Sequence, residues 1–200
     1  TTYNRPQLLR ERSLRSALNQ TFKDYEIIVV DDCSEAKILE IPKSVRVIWH
    51  ETNKGLSAAR NTGINAARGK YIVCLDDDNE LAPEFLEETI QAIGDYDAVA
   101  VGRVIQYKDF ARYVVPNIGG LSSIDWGWLI KREVFDRIKY DEKMRANEDT
   151  DFGITFFKLF RAVQLDKPLT IAYDASNDKE SLSFPTAREL EGMDYFFKKN

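Results

Sequence analysis

The stretch Tyr71-Ile72-Val73-Cys74-Leu75-Asp76-Asp77-Asp78 is a short apolar run followed by three consecutive carboxylates. Buried strands of an open α/β sheet end at the ligand crevice, so acids at a carboxyl end lie where a cation and phosphates bind. Side chains alternate along a strand, which predicts that Asp76 and Asp78 share one side and Asp77 the other. Two converging carboxylates favour a divalent cation, because without one they raise each other's pKa. A solvated acidic turn is the alternative interpretation.

Strand and helix patterns alternate on both sides of this stretch. The predicted strands cover residues 26–30, 45–49, 71–75 and 98–107, and the predicted helices cover 6–20, 56–68 and 83–93. The helix over 56–68 has Ser57 near its start and Gly69 just after its end, as a helix prefers. This order predicts an α/β fold with a mostly parallel central sheet and helices on both faces.

The second half of the chain is less regular. Residues 113–123 contain Pro116 and the pair Gly119-Gly120, which is typical of a loop. A phenylalanine-rich helix is predicted over 148–160, a last strand over 169–173, and a terminal helix over 186–199. A chain of 200 residues with 44% hydrophobic content is expected to form one domain.

Composition argues against several classes of protein. The net charge is −5 and the 28 Lys and Arg residues are scattered, so nucleic acid is not an expected partner. The apolar runs are far shorter than the ~20 residues of a membrane span, and no leader pattern is seen. The two cysteines, Cys33 and Cys74, favour a reducing, cytoplasmic location. His50 is the single histidine, which excludes a His/Cys zinc site, and we interpret it as an ordinary strand residue.

Four segments occur in an order that is typical of one enzyme family. They are Thr2-Tyr3-Asn4-Arg5; Gln20-Thr21-Phe22 followed by Tyr25 to Asp32 and Ser34; Asn53 to Ile64 with Gly55-Leu56-Ser57 and Ala59-Arg60-Asn61; and Leu75 to Asp78. Together they resemble a family 2 glycosyltransferase of the GT-A fold, closely up to about residue 90 and more loosely to Asp149. The resemblance implies a single GT-A (Rossmann-like) domain over 1–200, with a nucleotide-binding half at 1–105, an acceptor-binding half at 106–185 and a C-terminal helix at 186–200.

The resemblance also implies a UDP-sugar donor and assigns residues to it. Tyr3 would lie against the uracil ring, and Asp32 would accept a hydrogen bond from the base. The other donor-site residues that it implies are Thr2, Arg60, Asp76 near the ribose, and Asp77. The local patterns leave alternatives open: Tyr3 without a role, Asp32 as a helix N-cap, and Arg60 in a surface salt bridge.

A cation and a catalytic base follow from the same resemblance. Asp78 would ligate Mn²⁺ or Mg²⁺, since a hard ion suits carboxylates and a diphosphate, and the ion would neutralise the departing UDP. Asp149 is the expected base, and the helix N-terminus would keep it ionised; helix capping alone is the alternative. A family histidine that can complete the metal shell has no counterpart here, and Asp178 or water would replace it.

Trp126 and Trp128 are separated by one residue and would point the same way on a strand. A tryptophan ring offers an apolar face to the C–H groups of a sugar. We expect Trp126 to bind the acceptor or the donor sugar and Trp128 to join the core. Burial of both rings is the alternative.

The resemblance and the acidic strand end together favour a metal-dependent transferase that moves a hexose from a UDP-sugar to a hydroxyl of a glycan or other acceptor. The resemblance also implies that the transfer is inverting. Glucose is the default sugar, with galactose, N-acetylglucosamine and a deoxyhexose left open. The alternative is a non-catalytic nucleotide-sugar or carbohydrate-binding module of a larger polypeptide. The missing histidine favours it, and so does the start at Thr1, where the resemblance implies a preceding apolar strand. A sugar nucleotidyltransferase ranks last because we find no glycine-rich phosphate loop.

Overall fold

The computed structural model describes residues 1–36, 41–115, 118 and 127–174. The α-helices of this part are α1 (Pro6–Leu9), α2 (Arg15–Leu18), α3 (Leu56–Ala66), α4 (Phe85–Ala92) and α5 (Glu148–Leu159), with a π-helical segment Arg10–Leu14 between the first two and a 3-10 helix at Arg132–Asp136. The strands are β1 (Ile27–Asp31), β2 (Val45–Trp49), β3 (Tyr71–Val73), β4 (Glu80–Leu81), β5 (Ala98–Gln106), β6 (Ala111–Val114), β7 (Leu129–Lys131) and β8 (Ala162–Tyr173).

The strands form two hydrogen-bonded sheets. In the smaller sheet β1 and β2 are parallel, in register from Ile27 opposite Val45 to Asp31 opposite Trp49. Thr2 adds one parallel bridge to Asp31. The larger sheet has the order β3-β7-β5-β8-β4, with β6 paired to β5. In this sheet β3, β5 and β8 share one direction, and β4, β6 and β7 run the opposite way.

The predicted α/β class is confirmed by these elements. Most residue pairs of the described ladders are parallel, because the β1–β2 and β5–β8 ladders are the long ones. The sequence patterns missed β4 and β6, which are short, and β8 starts at Ala162 rather than at 169. Asp166, Lys167 and Pro168 interrupt the apolar pattern of β8, and the β5–β8 register shifts there, around Gly102.

Helices cover both faces of the larger sheet, as predicted. Ala98 and Ala100 of β5 belong to one apolar cluster, whereas Val99 and Val101 belong to another on the opposite face. The first cluster contains buried aromatic residues of α5 and its neighbours, namely Trp128, Phe135, Tyr140, Phe152 and Phe156. The second contains Phe85 of α4 together with Leu81 and Leu169. The alternation of β5 therefore fixes α4 and α5 on opposite sides.

A cavity of about 800 Å³ lies between β1 and β3, and apolar side chains form most of its lining. The helical segment from Leu9 to Ala17 and residues of α3 such as Ala59 and Ile64 close its other sides. At one end, the amino group of Thr1 donates a hydrogen bond to Leu75 O (3.1 Å), and Thr2 bonds to β1. Thr1 and Thr2 thereby connect the carboxyl end of β1 to the segment that follows β3.

In the described part of the chain, no helix combines the length and apolarity needed to cross a bilayer. The predicted cytoplasmic location and the division into halves at residues 105 and 185 stay predictions. The pair Gly119-Gly120, Trp126, Asp178 and the terminal helix over 186–199 lie outside the described residues.

Gly127 gives a test of how β7 enters the sheet. Its φ is +81°, its N–H donates to Cys74 O (2.9 Å), and an added Cβ would lie 2.7 Å from Thr170 Cγ2. We expect Gly127→Ala to lower the free energy of unfolding by about 2 kcal/mol, from backbone strain and the clash. Urea unfolding measures this change.

Gly94→Ala is the matched control, because Gly94 also has a positive φ (+44°) but nothing lies within 4 Å of its added Cβ. It should cost only the conformational part, about 1 kcal/mol. Equal costs at the two positions would show that Thr170 does not restrict residue 127.

Candidate active site

The three consecutive acids follow β3 but are not part of it. The regular strand ends at Val73, and Asp77 and Asp78 lie in a turn. The predicted alternation is therefore wrong: Arg5 contacts both Asp77 and Asp78, whereas Asp76 pairs with Arg60. The exposed fractions of the three side chains are 21% for Asp76, 1% for Asp77 and 33% for Asp78. Neighbouring acids in the sequence thus have different environments.

Asp78 is the most exposed acid of the run. Nη1 of Arg5 donates to its Oδ2 (2.9 Å), and Nδ2 of Asn79 donates to its Oδ1 (2.9 Å). Nη1 of Arg12 donates to its main-chain oxygen (3.2 Å). The protein therefore orients this carboxylate from several sides while one third of it remains open to solvent.

Asp77 connects the amino-terminal segment to the acids. Its Oδ2 accepts a hydrogen bond from Oγ1 of Thr2 (2.7 Å), and its Oδ1 forms an ion pair with Arg5. Burial raises the pKa of Asp77 to about 6, although Arg5 acts in the opposite direction. Thr2 and Asp77 bind each other here, and their predicted contacts with a nucleotide stay predictions.

Arg60 of α3 is buried, with a side chain that is 3% exposed. Its Nη2 donates to Oδ1 of Asp76 (3.1 Å), and its Nη1 donates to Oε1 of Glu148 (2.9 Å). Its guanidinium also lies 5.1 Å from the centre of the Tyr140 ring. Burial acts against the charge of Arg60, but the nearby Asp76 and Glu148 outweigh it and raise its pKa. The predicted surface salt bridge is therefore a buried one, and a contact of Arg60 with a nucleotide stays a prediction.

The same ion pair affects Asp76. Burial alone would raise the pKa of Asp76, but the Arg60 guanidinium more than compensates, and the pKa is lowered. Asp76 is thus held ionised at the carboxyl end of β3. Its predicted role near a ribose is untested.

Asp32 follows β1 and is buried. Its Oδ1 accepts from the main-chain N–H of Lys54 (2.9 Å) and lies 2.7 Å from Nδ1 of His50, and its Oδ2 accepts from the N–H of Gly55 (2.7 Å). Nε2 of His50 in turn lies 2.9 Å from Oγ1 of Thr62. His50 is therefore not an ordinary strand residue, because it fixes Asp32 from the end of β2.

Tyr3 lies at the same edge and is 45% exposed. The next residue, Asn4, has a φ of +55°. It bonds to the loop after β1, since its N–H donates to Ser34 Oγ (2.8 Å) and its Oδ1 accepts from Glu35 N–H (2.9 Å). The Tyr3 ring is therefore an exposed aromatic face on a segment that is anchored on either side.

Two acids begin α5 and have different partners. Burial raises the pKa of Glu148, which Arg60 opposes and the adjacent Asp149 reinforces. Asp149 is outside the Arg60 ion pairs, and its Oδ1 accepts from Thr150 N–H (2.7 Å). The preceding Asn147 has a left-handed backbone (φ +58°) and forms no side-chain cap. Both acids are partly buried, and the difference between them is the ion pair of Glu148 with Arg60, in which Asp149 takes no part.

The structure tests the prediction for only one of the two tryptophans. Trp128 is 6% exposed and packs edge-on against Phe157, with ring centres 6.2 Å apart, so its predicted place in the core is confirmed. Trp126 lies outside the described residues, and its predicted sugar contact stays a prediction.

Sequence reasoning assigned no role to Arg5 or Glu148. Both lie close to residues that were predicted as site residues, because Arg5 is two positions after Tyr3 and Glu148 directly precedes Asp149. Their partners are distant in sequence, since 73 positions separate Arg5 from Asp78 and 88 separate Arg60 from Glu148. No local pattern indicates such pairs.

The donor set limits how a cation could be held. Among residues 1–36, 41–115, 118 and 127–174, no three His, Cys, Asp or Glu side chains form a metal-binding group. Mg²⁺ and Mn²⁺ are nevertheless often bound by one or two carboxylates together with substrate phosphates and water. The partly exposed Asp78 fits this second arrangement, provided that a cation displaces Arg5 from its Oδ2.

Comparison with known proteins identifies relatives of this chain. The uncharacterized glycosyltransferase EpsJ of Bacillus subtilis (strain 168) is 30% identical over 90% of this chain and 61% of EpsJ. The succinoglycan biosynthesis protein ExoO of Rhizobium meliloti (strain 1021) is 30% identical over 69% of this chain and 49% of ExoO. The chain therefore spans only about half to three fifths of the length of these two relatives.

Solved structures show the same architecture. S. aureus TarS 1-349 in complex with UDP-GlcNAc superimposes with a TM-score of 0.76 at 21% identity, over 96% of this chain and 62% of that chain. The complex of TarS 1-349 with UDP gives a TM-score of 0.74 at 22% identity, over 86% of this chain and 58% of that chain. This likeness confirms the predicted GT-A fold class. The family model described as Glycosyl transferase family 2 matches residues 1–166, and the chain belongs to that family.

Proposed function

We propose that this chain transfers a hexose from a UDP-sugar to a hydroxyl group by direct displacement, with inversion at the anomeric carbon. The observation that carries the proposal is the ion-pair cluster of Asp76, Arg60 and Glu148, which joins the strand-end acids to the head of α5. The acids proposed to bind the sugar nucleotide and the proposed base, Asp149, are thereby held in one site. The complexes of TarS with UDP and UDP-GlcNAc support a nucleotide-sugar donor.

Tyr3 and Asp32 form the proposed base-binding end. The exposed Tyr3 ring offers a face on which uracil stacks, an interaction worth ~1–3 kcal/mol per base. Oδ2 of Asp32 accepts one described hydrogen bond, from Gly55, and a carboxylate oxygen has room for a second. The imide N–H of uracil is a donor that cytosine lacks. This pair therefore favours uridine nucleotides.

Asp78 is the proposed protein ligand of a Mn²⁺ or Mg²⁺ ion, with Asp76 directed to the ribose. When bound, such an ion neutralises the negative charge that develops on the departing diphosphate. Arg5 is ion-paired with Asp78 in the described structure. A cation at Asp78 would replace Arg5 there, and Arg5, which also pairs with Asp77, would then have a terminal nitrogen available for a phosphate.

Asp149 is the proposed general base. It lies in the first turn of α5, whose N-terminus favours the ionised carboxylate. In that state it accepts the proton of the attacking hydroxyl as the new glycosidic bond forms and UDP departs with the electron pair of the broken C–O bond. The acceptor is proposed to be a glycan or another hydroxyl compound.

The proposed donor sugar is a hexose. Glucose remains the default, and the UDP-GlcNAc complex of TarS adds weight to N-acetylglucosamine. Calorimetric titration with UDP-, GDP- and dTDP-sugars, with and without Mn²⁺, tests the donor class. A CDP-sugar in the same titration tests Asp32 separately, because cytosine lacks the imide N–H that uracil and thymine share. Equal affinity for UDP- and CDP-sugars would contradict the proposed role of Asp32.

A non-catalytic binding module is the second candidate, and the Arg5–Asp78 ion pair favours it, because Arg5 occupies the proposed metal ligand. This candidate predicts UDP binding that is independent of divalent cations and is never followed by transfer. The same titration with and without Mn²⁺ separates the two candidates.

Replacement of Tyr3 tests base stacking. We expect Tyr3→Ala to weaken UDP binding by about 5- to 150-fold, corresponding to the loss of one stacked base. Tyr3→Phe keeps the ring and should bind UDP nearly as the unmodified protein does. Calorimetry measures both, and a Tyr3→Phe loss as large as that of Tyr3→Ala would indicate a role for the hydroxyl instead.

Replacement of Asp78 tests the metal site. Asp78→Ala should abolish the part of UDP binding that depends on Mn²⁺ and leave the metal-independent part, because Tyr3 and Asp32 are unchanged. Calorimetry with and without Mn²⁺ measures the difference. Glu80→Ala is the control, since Glu80 is a nearby acid that pairs with Arg15 away from Asp78.

Replacement of Asp149 tests the base. We expect Asp149→Asn to bind UDP-sugar normally and to transfer sugar about 100- to 10,000-fold more slowly, which is the usual contribution of a general base. Single-turnover transfer measures the rate. Transfer at the normal rate would rule out Asp149 as the base.

A further inference from the structure

The head of α5 is held in place by α3 in the described structure. Arg60 binds Glu148 in the first turn of α5 (2.9 Å), and the next residue of α3, Asn61, donates to Tyr140 O (2.9 Å) and to Glu142 Oε1 (3.0 Å). The Tyr140 N–H donates back to Asn61 Oδ1 (3.2 Å). Two consecutive residues of α3 thus fix the segment that leads into α5.

Glu148 ties the first turn of α5 to α3, whereas the N-cap residue provides no side-chain hydrogen bond there. Asn147, in the N-cap position, has a left-handed backbone and makes no side-chain hydrogen bond to the first turn. The Glu148 carboxylate is only 14% exposed, and its Oε1 accepts from Arg60. The ion pair is therefore a direct side-chain restraint on the first turn, the turn that also contains Asp149.

Arg60 also contacts the acids after β3, at the other end of the site. Its second terminal nitrogen binds Asp76, at the carboxyl end of β3. Because the guanidinium is planar and rigid, it fixes the geometry between two carboxylates better than a flexible ammonium group does. A single buried side chain therefore links the acids after β3 to the acids of α5.

We propose that Arg60 and Glu148 are positioning residues, which set where Asp149 lies relative to the donor without either touching the reacting atoms. The expected effect on kcat rests on the proposed function, whereas the expected effect on the start of α5 rests on the described contacts alone. Glu148 is committed to Arg60, which leaves Asp149 as the acid that is free to act as base. A misplacement of about 1 Å in such a group is enough to slow catalysis ~100-fold.

Glu148→Gln and Glu148→Ala form the decisive pair of variants. The glutamine amide oxygen still accepts a hydrogen bond from Arg60, whereas alanine removes the acceptor. We expect Glu148→Ala to lower kcat by about 100-fold with KM for the donor within about threefold of the normal value. Glu148→Gln should recover kcat to within about tenfold. If Glu148 were itself the base, both variants would be equally slow, and that result would overturn the proposal.

Hydrogen exchange gives a readout that does not require transfer. Amides 151–155, which are the first in α5 with helical hydrogen-bond partners, should exchange faster in Glu148→Ala than in the unmodified protein. Glu148→Gln should restore much of the protection. Arg46→Met is the control, since Arg46 is an exposed arginine of β2 that bonds to Ala66 O. It should leave exchange at 151–155 unchanged.

The two readouts keep the two proposals distinguishable. If the unmodified protein transfers no sugar but exchange at 151–155 responds to Glu148→Ala and not to Arg46→Met, then the proposed function fails and the positioning contact stands. Unchanged exchange in Glu148→Ala would overturn the positioning role, whatever the activity.

Discussion

The buried guanidinium of Arg60 is the interaction on which the site depends. A charge removed from water is stable only where opposite charges and hydrogen-bond acceptors replace its hydration. Asp76 and Glu148 provide this replacement from two separate elements, and the Tyr140 ring lies against the same group. Loss of one partner of such a buried pair typically costs roughly 3–5 kcal/mol. The fold is thereby stabilised in the arrangement that brings the acids of β3 and α5 together.

Arg5 acts as a second cation on the neighbouring acids, but in a different environment. It pairs with the buried Asp77 and with the partly exposed Asp78, while Thr2 completes the bonding of Asp77. Three consecutive carboxylates therefore have three degrees of solvent access. Asp77 is buried, Asp76 is partly exposed and oriented by Arg60, and Asp78 is the most exposed of the three, although Arg5 pairs with it as well.

The strands and the larger helices of the first half could be predicted because their apolar periodicity is local. β2 was predicted with its observed bounds, and β5 within one residue of its end. β8 was predicted too short because charged residues and Pro168 lie where it crosses the β5 register shift. The acids after β3 and Asp149 at the start of α5 were also predicted as site residues. The ion pairs were not, because the pairing of Arg5 with Asp78 or of Arg60 with Glu148 depends on tertiary contacts. The same limitation explains why the bond between His50 and Asp32 was missed.

Cys74, which follows β3 directly, lies close to Arg60, Asp76 and Tyr140. Its reactivity therefore depends on these neighbours. Burial raises the pKa of the Cys74 thiol, while Arg60 and Tyr140 act in the opposite direction. Alkylating reagents attack the thiolate, so the reaction is slow for as long as the cluster remains closed. The rate of alkylation at Cys74, separated from that at Cys33 by peptide mapping, therefore reports how often the contact of Arg60 with Asp76 and Glu148 opens, and no new cysteine has to be introduced.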